Sequence, residues 1–534
     1  MAIRERKVNQ KNRVLDEWFS VQNMVGIVCV ALSLIWIFYY NMNKEGLLSS
    51  DMSSELVLAN LLSKENALLS NKWIYSTELR VVNTQVVYSI LFHFFSDWSL
   101  VRALGNLIML IGLVISGCFM LYMVGINKKN ILFTVSFLIM PFSAYQYLII
   151  LVGAYYIPHL TISFLIVGCF YGIINKKPIT NICFAGGGVF LSVAAGLGGI
   201  RYFLIVFIPL LAACIWEWLI ENEEVKKIDR IMVATLFSVC GAVGYRIYSK
   251  VLAQKYNFDS YSSISFINVN DEDIGNRVVK MIAAVLETIS GYQSGTKVFS
   301  LAGISNCFVV GYIAIIFMMT LYIGMKGKKH FLFYTYIVML VAFNTFIMLF
   351  TDVGFSSGVF VSRYYGLALT FLFFIIPIYC EVEANNRKKI VYMACIMISL
   401  VVDSFVNTLQ IQATDLNVGR RGAITYLKNN DLNFGYATFW NANVTTELTD
   451  GEINLAPICS AKSMKSFEYL MKKEYLNIDY IDSTCFILLT REEYNDEKEC
   501  SVIEGGRKEY EDDFFVVLTY HNSEELYGLA ANDN

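Results

Sequence analysis

Between Val21 and Leu409 the chain is a succession of apolar runs separated by short polar turns. Crossing the hydrocarbon of a bilayer as a helix takes roughly 17–25 mostly apolar residues, so the pattern predicts a polytopic helical membrane protein with about eleven spans. The expected spans are Val21–Tyr40, Leu100–Val124, Ile131–Ile150, Pro158–Ile174, Ile179–Leu197 and Tyr202–Ile220, then Ile228–Leu252, Phe299–Ile323, Phe331–Phe350, Tyr364–Cys380 and Ile390–Leu409. Two shorter pieces sit between the first and second spans. Met52–Leu69 and Asn83–Phe95 place leucines and aromatics at helical spacing among polar residues, the pattern of helices lying along a membrane surface, apolar side down.

From Gln410 the apolar runs shorten and charges become frequent. This predicts a small α/β or α+β domain over 410–534, with helices at Asp415–Lys428 and Met464–Lys473 and strands at Phe434–Trp440, Thr484–Leu489 and Phe514–Tyr520. The chain thus divides into a basic N-terminus (1–20), a membrane part (21–409) whose first outer loop is 41–99, and a soluble part (410–534).

Charge adds an orientation. Basic residues crowd the N-terminus (Arg4, Arg6, Lys7, Lys11, Arg13) and alternate turns: Lys128-Lys129, Lys176-Lys177, Lys226-Lys227, Lys326 with Lys328-Lys329, and Arg387-Lys388-Lys389. All fall on one side if the spans alternate, and the positive-inside rule makes that side cytoplasmic. The first loop, the loop after Leu252, the loop 351–363 and residues 410–534 are then expected outside a bacterial cytoplasmic membrane.

Composition agrees: 56% of the 534 residues are hydrophobic and only 16% charged, where soluble domains carry about 25%. Nine of the twelve cysteines lie in apolar runs and none forms a CxxC pair, so they read as small hydrophobes. Cys459, Cys485 and Cys500 admit at most one disulfide. HExxH, GxSxG and Walker A sequences are absent, which removes the zincin, serine-hydrolase and P-loop readings. Gly186-Gly187-Gly188 lies within an apolar run and suits close helix packing.

The candidate chemistry gathers in the first outer loop, SSDMSSELVLANLLSKENALLSNKWIYSTELR. Asp51 and Glu55, four apart, share one face of a helix, where a carboxylate could take a proton from an attacking hydroxyl; Asp51 also suits a helix cap. Glu78 and Arg80 pair with each other or build an acceptor site, and Trp73 and Tyr75 are interface anchors or a sugar-stacking platform. At outer span ends, Arg201-Tyr202 and Arg363-Tyr364 either snorkel to headgroups or bind a lipid phosphate in bidentate fashion. His159 and Asp352 are further pocket candidates. Arg102 takes a phosphate or pairs with Asp97. Trp440 and its neighbouring asparagines in FWNAN suit sugar contacts or a packed strand.

The position of SSDMSSELVLANLL, directly after the first span and followed by surface helices, many spans and an outer C-terminal domain, resembles the GT-C class of polytopic glycosyltransferases, which includes protein O-mannosyltransferases and the lipid A aminoarabinose transferase. WIYSTELRVVNTQ and FGYATFWNANVTTELTDG also resemble stretches of bacterial membrane proteins grouped with that class. The resemblance implies transfer of a sugar, with inversion, from a polyprenyl-phosphate-linked donor to an envelope glycan, lipid or protein. It places Asp51 as general base and Glu55 as second carboxylate, spaced DxxxE where the class more often has adjacent acids. Glu78, Arg80, Tyr75, His159, Arg201, Tyr202, Asp352, Arg363 and Tyr364 are then the candidate substrate contacts, and a divalent cation held by Asp51 and Glu55 is the candidate cofactor. Membrane lipids are expected partners and nucleic acid is not. A transporter or flippase of a lipid-linked glycan is the alternative, although paired halves with matching broken spans are not evident; a third is a non-catalytic scaffold.

Overall fold

A computed structural model describes residues 20–43, 45–76, 79, 81–175, 178–220, 224–256, 258, 264–268, 273–327, 329–356, 358–477 and 484–533. Among them, nine helices are long and apolar enough to cross a membrane: Val21–Asn43, Trp98–Val124, Ile157–Asn175, Phe203–Ile220, Ile228–Lys255, Leu301–Lys326, Phe331–Phe350, Ser362–Val382 and Asn386–Ile411. Asn181–Leu197 is a shorter apolar helix. The protein is a polytopic helical membrane protein carrying a small C-terminal sheet.

The remaining expected span, Ile131–Ile150, is broken. Helix Ile131–Ser136 passes into a tight turn at Phe137–Ile139, goes extended at Met140, and resumes as a wide-turned helix over Tyr145–Val152. Pro141 is the cause: it has no N–H to donate and pushes Met140 out of the helical region. Carbonyls left free inside a bilayer are costly, and side chains take them up. Asn407 Nδ2 donates to Pro141 O at 2.8 Å, and Gln146 Nε2 donates to Leu138 O.

Two compact units divide the chain. The first takes in Met1–Ile37, Asn106–Tyr248 and Ser262–Ile411; the second takes in Phe38–Gly105, Ser249–Tyr261 and Gln412–Asn534. Within the first, glycine sets how closely helices approach. A Cβ on Gly196 would lie 2.1 Å from Gly241 O, and one on Gly188 would overlap the Phe237 ring, so the small-residue stripe is used for helix packing.

The second unit is built on a five-stranded sheet of order Asn454–Ile458, Phe434–Thr438, Cys485–Thr490, Phe515–Tyr520, Arg507–Glu511. The first three strands are parallel and the last two join antiparallel. Alternation along each strand feeds two cores. Tyr436, Ile487, Val516 and Leu518 pack with Leu526 of helix Ser523–Ala531, while Ala437, Leu488 and Val517 pack with Ala423 and Leu427 of helix Arg420–Asn429.

The same unit contains the first loop. Trp73–Ile74 pairs antiparallel with Met471–Lys472, and Trp73 is wholly buried. Helix Ser50–Glu65 packs against helices Phe439–Leu448 and Thr84–Phe92. Its Leu56, Val57, Leu58 and Leu62 are therefore covered by protein rather than laid on lipid, which corrects the surface-helix expectation.

Three C-terminal expectations also change. The first strand stops at Thr438 and Phe439–Leu448 is a helix. The helix expected at Asp415–Lys428 starts only at Arg420, because the preceding residues serve as ties to the first loop: Leu416 N donates to Gly46 O and Asn417 Nδ2 to Leu48 O. Met464–Lys473 is not helical. Met464 and Leu470 take left-handed backbone angles, Ser466 bridges Ile458, and Phe467 and Tyr469, two apart, both pack on the Phe439 ring. All twelve cysteines are free.

Candidate functional site

In the second unit, Asp51 lies in the first turn of helix Ser50–Glu65 and is half-buried; the Ser54 hydroxyl donates to its carbonyl at 2.7 Å. Glu55 follows one turn later on the same face, and its Oε2 accepts the Thr84 hydroxyl at 2.5 Å. A neutral donor at that distance holds the carboxylate in place without neutralising it.

What fixes this helix is an ion pair that the sequence reading missed. Arg102 and Glu447 meet in bidentate fashion, Nε to Oε1 at 2.6 Å and Nη2 to Oε2 at 2.7 Å, with both side chains under 5% exposed. Nη2 also donates to Met52 O at 3.1 Å, one residue from Asp51. Arg102 therefore does not pair with Asp97, which instead accepts Leu100 N at 2.9 Å at the helix start. Glu447 sits in TTEL, a tetrad whose acid reads locally as a solvated helix position; only a partner 345 residues away reveals it. Tyr88, beside Arg102, has its hydroxyl pKa pushed up by burial.

Tyr75 is buried, accepts Ser70 N at 2.9 Å and meets Tyr256 edge-on at 6.2 Å. It is a packed side chain of the loop. Glu78 and Arg80 lie outside the described residues. Trp440 is exposed on its helix, whereas Asn441 and Asn443 are buried: Asn441 Oδ1 accepts Arg420 Nη2 at 2.6 Å, and Asn443 Nδ2 donates to Leu470 O at 3.0 Å. Burial pulls the Arg420 pKa down to about 10.

In the first unit, four elements bring the other candidates together. Arg201 Nη1 donates to Tyr156 Oη at 2.8 Å, and its guanidinium lies 4.5 Å from the centre of the Tyr364 ring. Arg363, exposed, stands 5.3 Å from the same ring. His159, buried, stacks on Tyr202 at 5.0 Å and meets Tyr156 edge-on at 5.8 Å. Tyr156 is not among the residues expected from sequence; its position three residues before His159 is the available signal.

Arg363 also lines a cavity of about 270 Å³ whose other walls include Tyr145, Leu148, Ile149, Thr288 and Phe360. Tyr145 separates it from a second cavity of about 430 Å³ with almost wholly apolar walls, among them Phe142, Ile313, Phe317, Val341 and Phe373. The Tyr145 ring is seated on Gly366, where a Cβ would come within 2.3 Å of it. Asp352 stands apart from this cluster. Its carboxylate accepts Ser265 N at 3.2 Å and its N–H donates to Ser265 O at 3.1 Å, so it secures a bridge between the 264–268 segment and the end of helix Phe331–Phe350.

Among the described residues no three His, Cys, Asp or Glu side chains gather as a metal site. Asp51 and Glu55 would supply two ligands at most.

No protein-family model matches the sequence and no curated protein matches it. The fold has solved counterparts. It is similar to the crystal structure of ArnT from Cupriavidus metallidurans bound to undecaprenyl phosphate, with 10% identity, 94% of this chain and 98% of that chain covered, and a TM-score of 0.52. The apo form of the same protein gives 9% identity, the same coverage and a TM-score of 0.54. At such identity the likeness establishes the fold alone.

Proposed function

We propose that this protein is a membrane glycosyltransferase that moves a sugar, with inversion, from a polyprenyl-phosphate-linked donor to an acceptor outside a bacterial cytoplasmic membrane. The observation that carries the reading is the convergence of Arg201 and Arg363 on one ring, Tyr364. Two cationic groups at one ring suit a phosphate, which arginine's planar fork can bind in bidentate fashion. The cavity beside Arg363 is mainly apolar, walled by Leu148, Ile149, Phe360 and Val361, with Thr288 and Ser362 among its other lining residues; an isoprenoid next to a phosphate held by Arg363 suits such a lining. Support comes also from the fold, shared with a protein whose crystal structure holds undecaprenyl phosphate.

In this reading Asp51 accepts the proton of the acceptor hydroxyl as its oxygen attacks the anomeric carbon. The bond from that carbon to the phosphate oxygen breaks, and the departing polyprenyl phosphate keeps the electron pair, its charge met by Arg201 and Arg363. Glu55, held by Thr84, orients the acceptor, with Glu78 and Arg80 assigned to the acceptor side. His159, Tyr202 and Tyr156 brace Arg201. The lysine-rich turns face the cytoplasm, the first loop and residues 410–534 face outward, and the acceptor is an envelope glycan, lipid or protein.

The test is Asp51→Asn in the full-length, membrane-inserted protein. Transfer from a polyprenyl-phosphate sugar is expected to fall by about 10²–10⁴-fold, the usual contribution of a general base, with insertion unchanged. Wild-type turnover in that variant ends the assignment.

A further inference from the structure

Helix Ile274–Ala284 lies between the long apolar helices Ile228–Lys255 and Leu301–Lys326 and is strongly amphipathic, with Val279 and Ile282 exposed along one side. Its opposite side carries Arg277, only 5% exposed. A buried arginine on a short surface helix is expensive unless its donors are used. Arg277 Nη2 donates to Thr351 O at 2.6 Å, and the guanidinium carbon lies over the Phe355 ring, 4.0 Å from its centre. One turn on, Lys280 Nζ donates to Gly358 O at 2.8 Å. Both cations thus hold the same small structure, the hairpin Phe355–Ser356/Val359–Phe360. Its turn needs the left-handed angle of Gly358 (φ 76°), and a Cβ at Gly354 would collide with Met348 O.

The hairpin runs directly into helix Ser362–Thr370, whose first turn bears Arg363 and Tyr364. Phe360 packs edge-on against Phe355 at 5.4 Å and Tyr365 at 6.1 Å, so the hairpin and the helix start are joined by rings as well as by backbone. Beyond Ala284 the amphipathic helix continues as Val285–Ile289, and Thr288 on that extension is a wall of the cavity that Arg363 lines. One helix therefore both holds the hairpin and walls the cavity.

We propose that Arg277 and Lys280 are positioning residues for the lipid-phosphate donor: by stapling the 355–360 hairpin to the amphipathic helix, they set Arg363 at the mouth of the 270 Å³ cavity. This rests on the assignment of Arg363 to the donor phosphate. The staple takes up one carbonyl just ahead of the hairpin, Thr351 O, and one in its turn, Gly358 O, so loosening it lets Arg363 wander without removing a group that reacts. The expected signature is weaker donor use with the chemical step intact.

Two measurements on the full-length protein in nanodiscs test this. In the first, nitroxide labels borne on a non-canonical amino acid at positions 279 and 359 report the helix-to-hairpin distance. Arg277→Gln and Lys280→Gln are each expected to broaden the distribution seen in the parent; an unchanged distribution in both variants overturns the staple. In the second, decaprenyl-phosphate-linked sugar is the donor probe. Arg277→Gln is expected to raise donor KM about tenfold, the scale of losing one charged hydrogen bond, with kcat within a factor of two. Arg277→Lys, which can still reach Thr351 O, should recover part of the loss. Adding Arg277→Gln to Arg363→Ala should cost little more than Arg363→Ala alone, because both act on one interaction; full additivity of the two overturns the positioning role. A broadened hairpin with donor KM unaffected by Arg363→Ala refutes the phosphate assignment and leaves the staple standing.

Discussion

Removing one partner of the Arg102–Glu447 pair should loosen the helix that carries Asp51 and Glu55. Both side chains are under 5% exposed and meet through two short charged hydrogen bonds. Truncating one member of such a pair leaves the other charge buried and alone, which costs about 3–5 kcal/mol. Spread over a unit of this size, at about 2–4 °C of Tm per kcal/mol, the shift is on the order of 10 °C. Glu447→Gln and Arg102→Met should each show it by intrinsic fluorescence during heating in detergent, accompanied by faster proteolysis between Asn66 and Lys72. The double replacement Arg102→Met/Glu447→Leu should recover most of the loss, because two apolar side chains of similar volume bury without a stranded charge. The charge reversal Arg102→Glu/Glu447→Arg should not, since a glutamate cannot donate to Met52 O as Arg102 does. Single variants with unchanged Tm, or a reversal that melts like the parent, would refute the reasoning.

Other tests are smaller. Thr84→Val removes the donor to Glu55 and should lower transfer by about two- to tenfold, the scale of one hydrogen bond, read as acceptor KM at saturating donor. Gly366→Ala places a methyl against the Tyr145 ring and should destabilise by about 1–3 kcal/mol, or push the ring into a neighbouring cavity and raise donor KM. Asp450 accepts Trp98 N in a left-handed backbone conformation, and burial raises its pKa above 3.8. The raised carboxyl favours the folded state at low pH, and that benefit is lost as pH rises through its folded value. Asp450→Asn keeps the acceptor and suits the backbone, so its Tm should exceed the parent's at pH 7 and converge with it as pH falls towards 4.

The membrane frame was legible because lipid imposes a long, plain signal, and nine of the expected spans have continuous counterparts of sufficient length among the described residues. Ile131–Ile150 departs from a span because the effect of Pro141 on the backbone, and not the hydropathy of the run, decides the structure. The central strands at Phe434, Cys485 and Phe515 were visible as short β-branched and aromatic runs. The edge strand Arg507–Glu511 was hidden because four of its five residues are charged, as an exposed edge allows. In the candidate site, Arg201 and Arg363 stood out as cations at span ends, and the structure brings both to Tyr364. Arg277 and Glu447 gave no sequence signal, because what makes them matter is burial beside partners distant in sequence.

The pairing of Trp73–Ile74 with Met471–Lys472 has a consequence for biosynthesis. Some four hundred residues separate the two strands, and at a ribosomal rate of about 5–20 residues per second the early one waits on the order of half a minute for its mate. Through that interval Leu56, Val57 and Leu62 have no helix Phe439–Leu448 to cover them. Nascent chains halted before that helix emerges should therefore be insoluble outside the bilayer or captured by chaperones, and quality control should find the opening loop the most vulnerable part of an unfinished molecule.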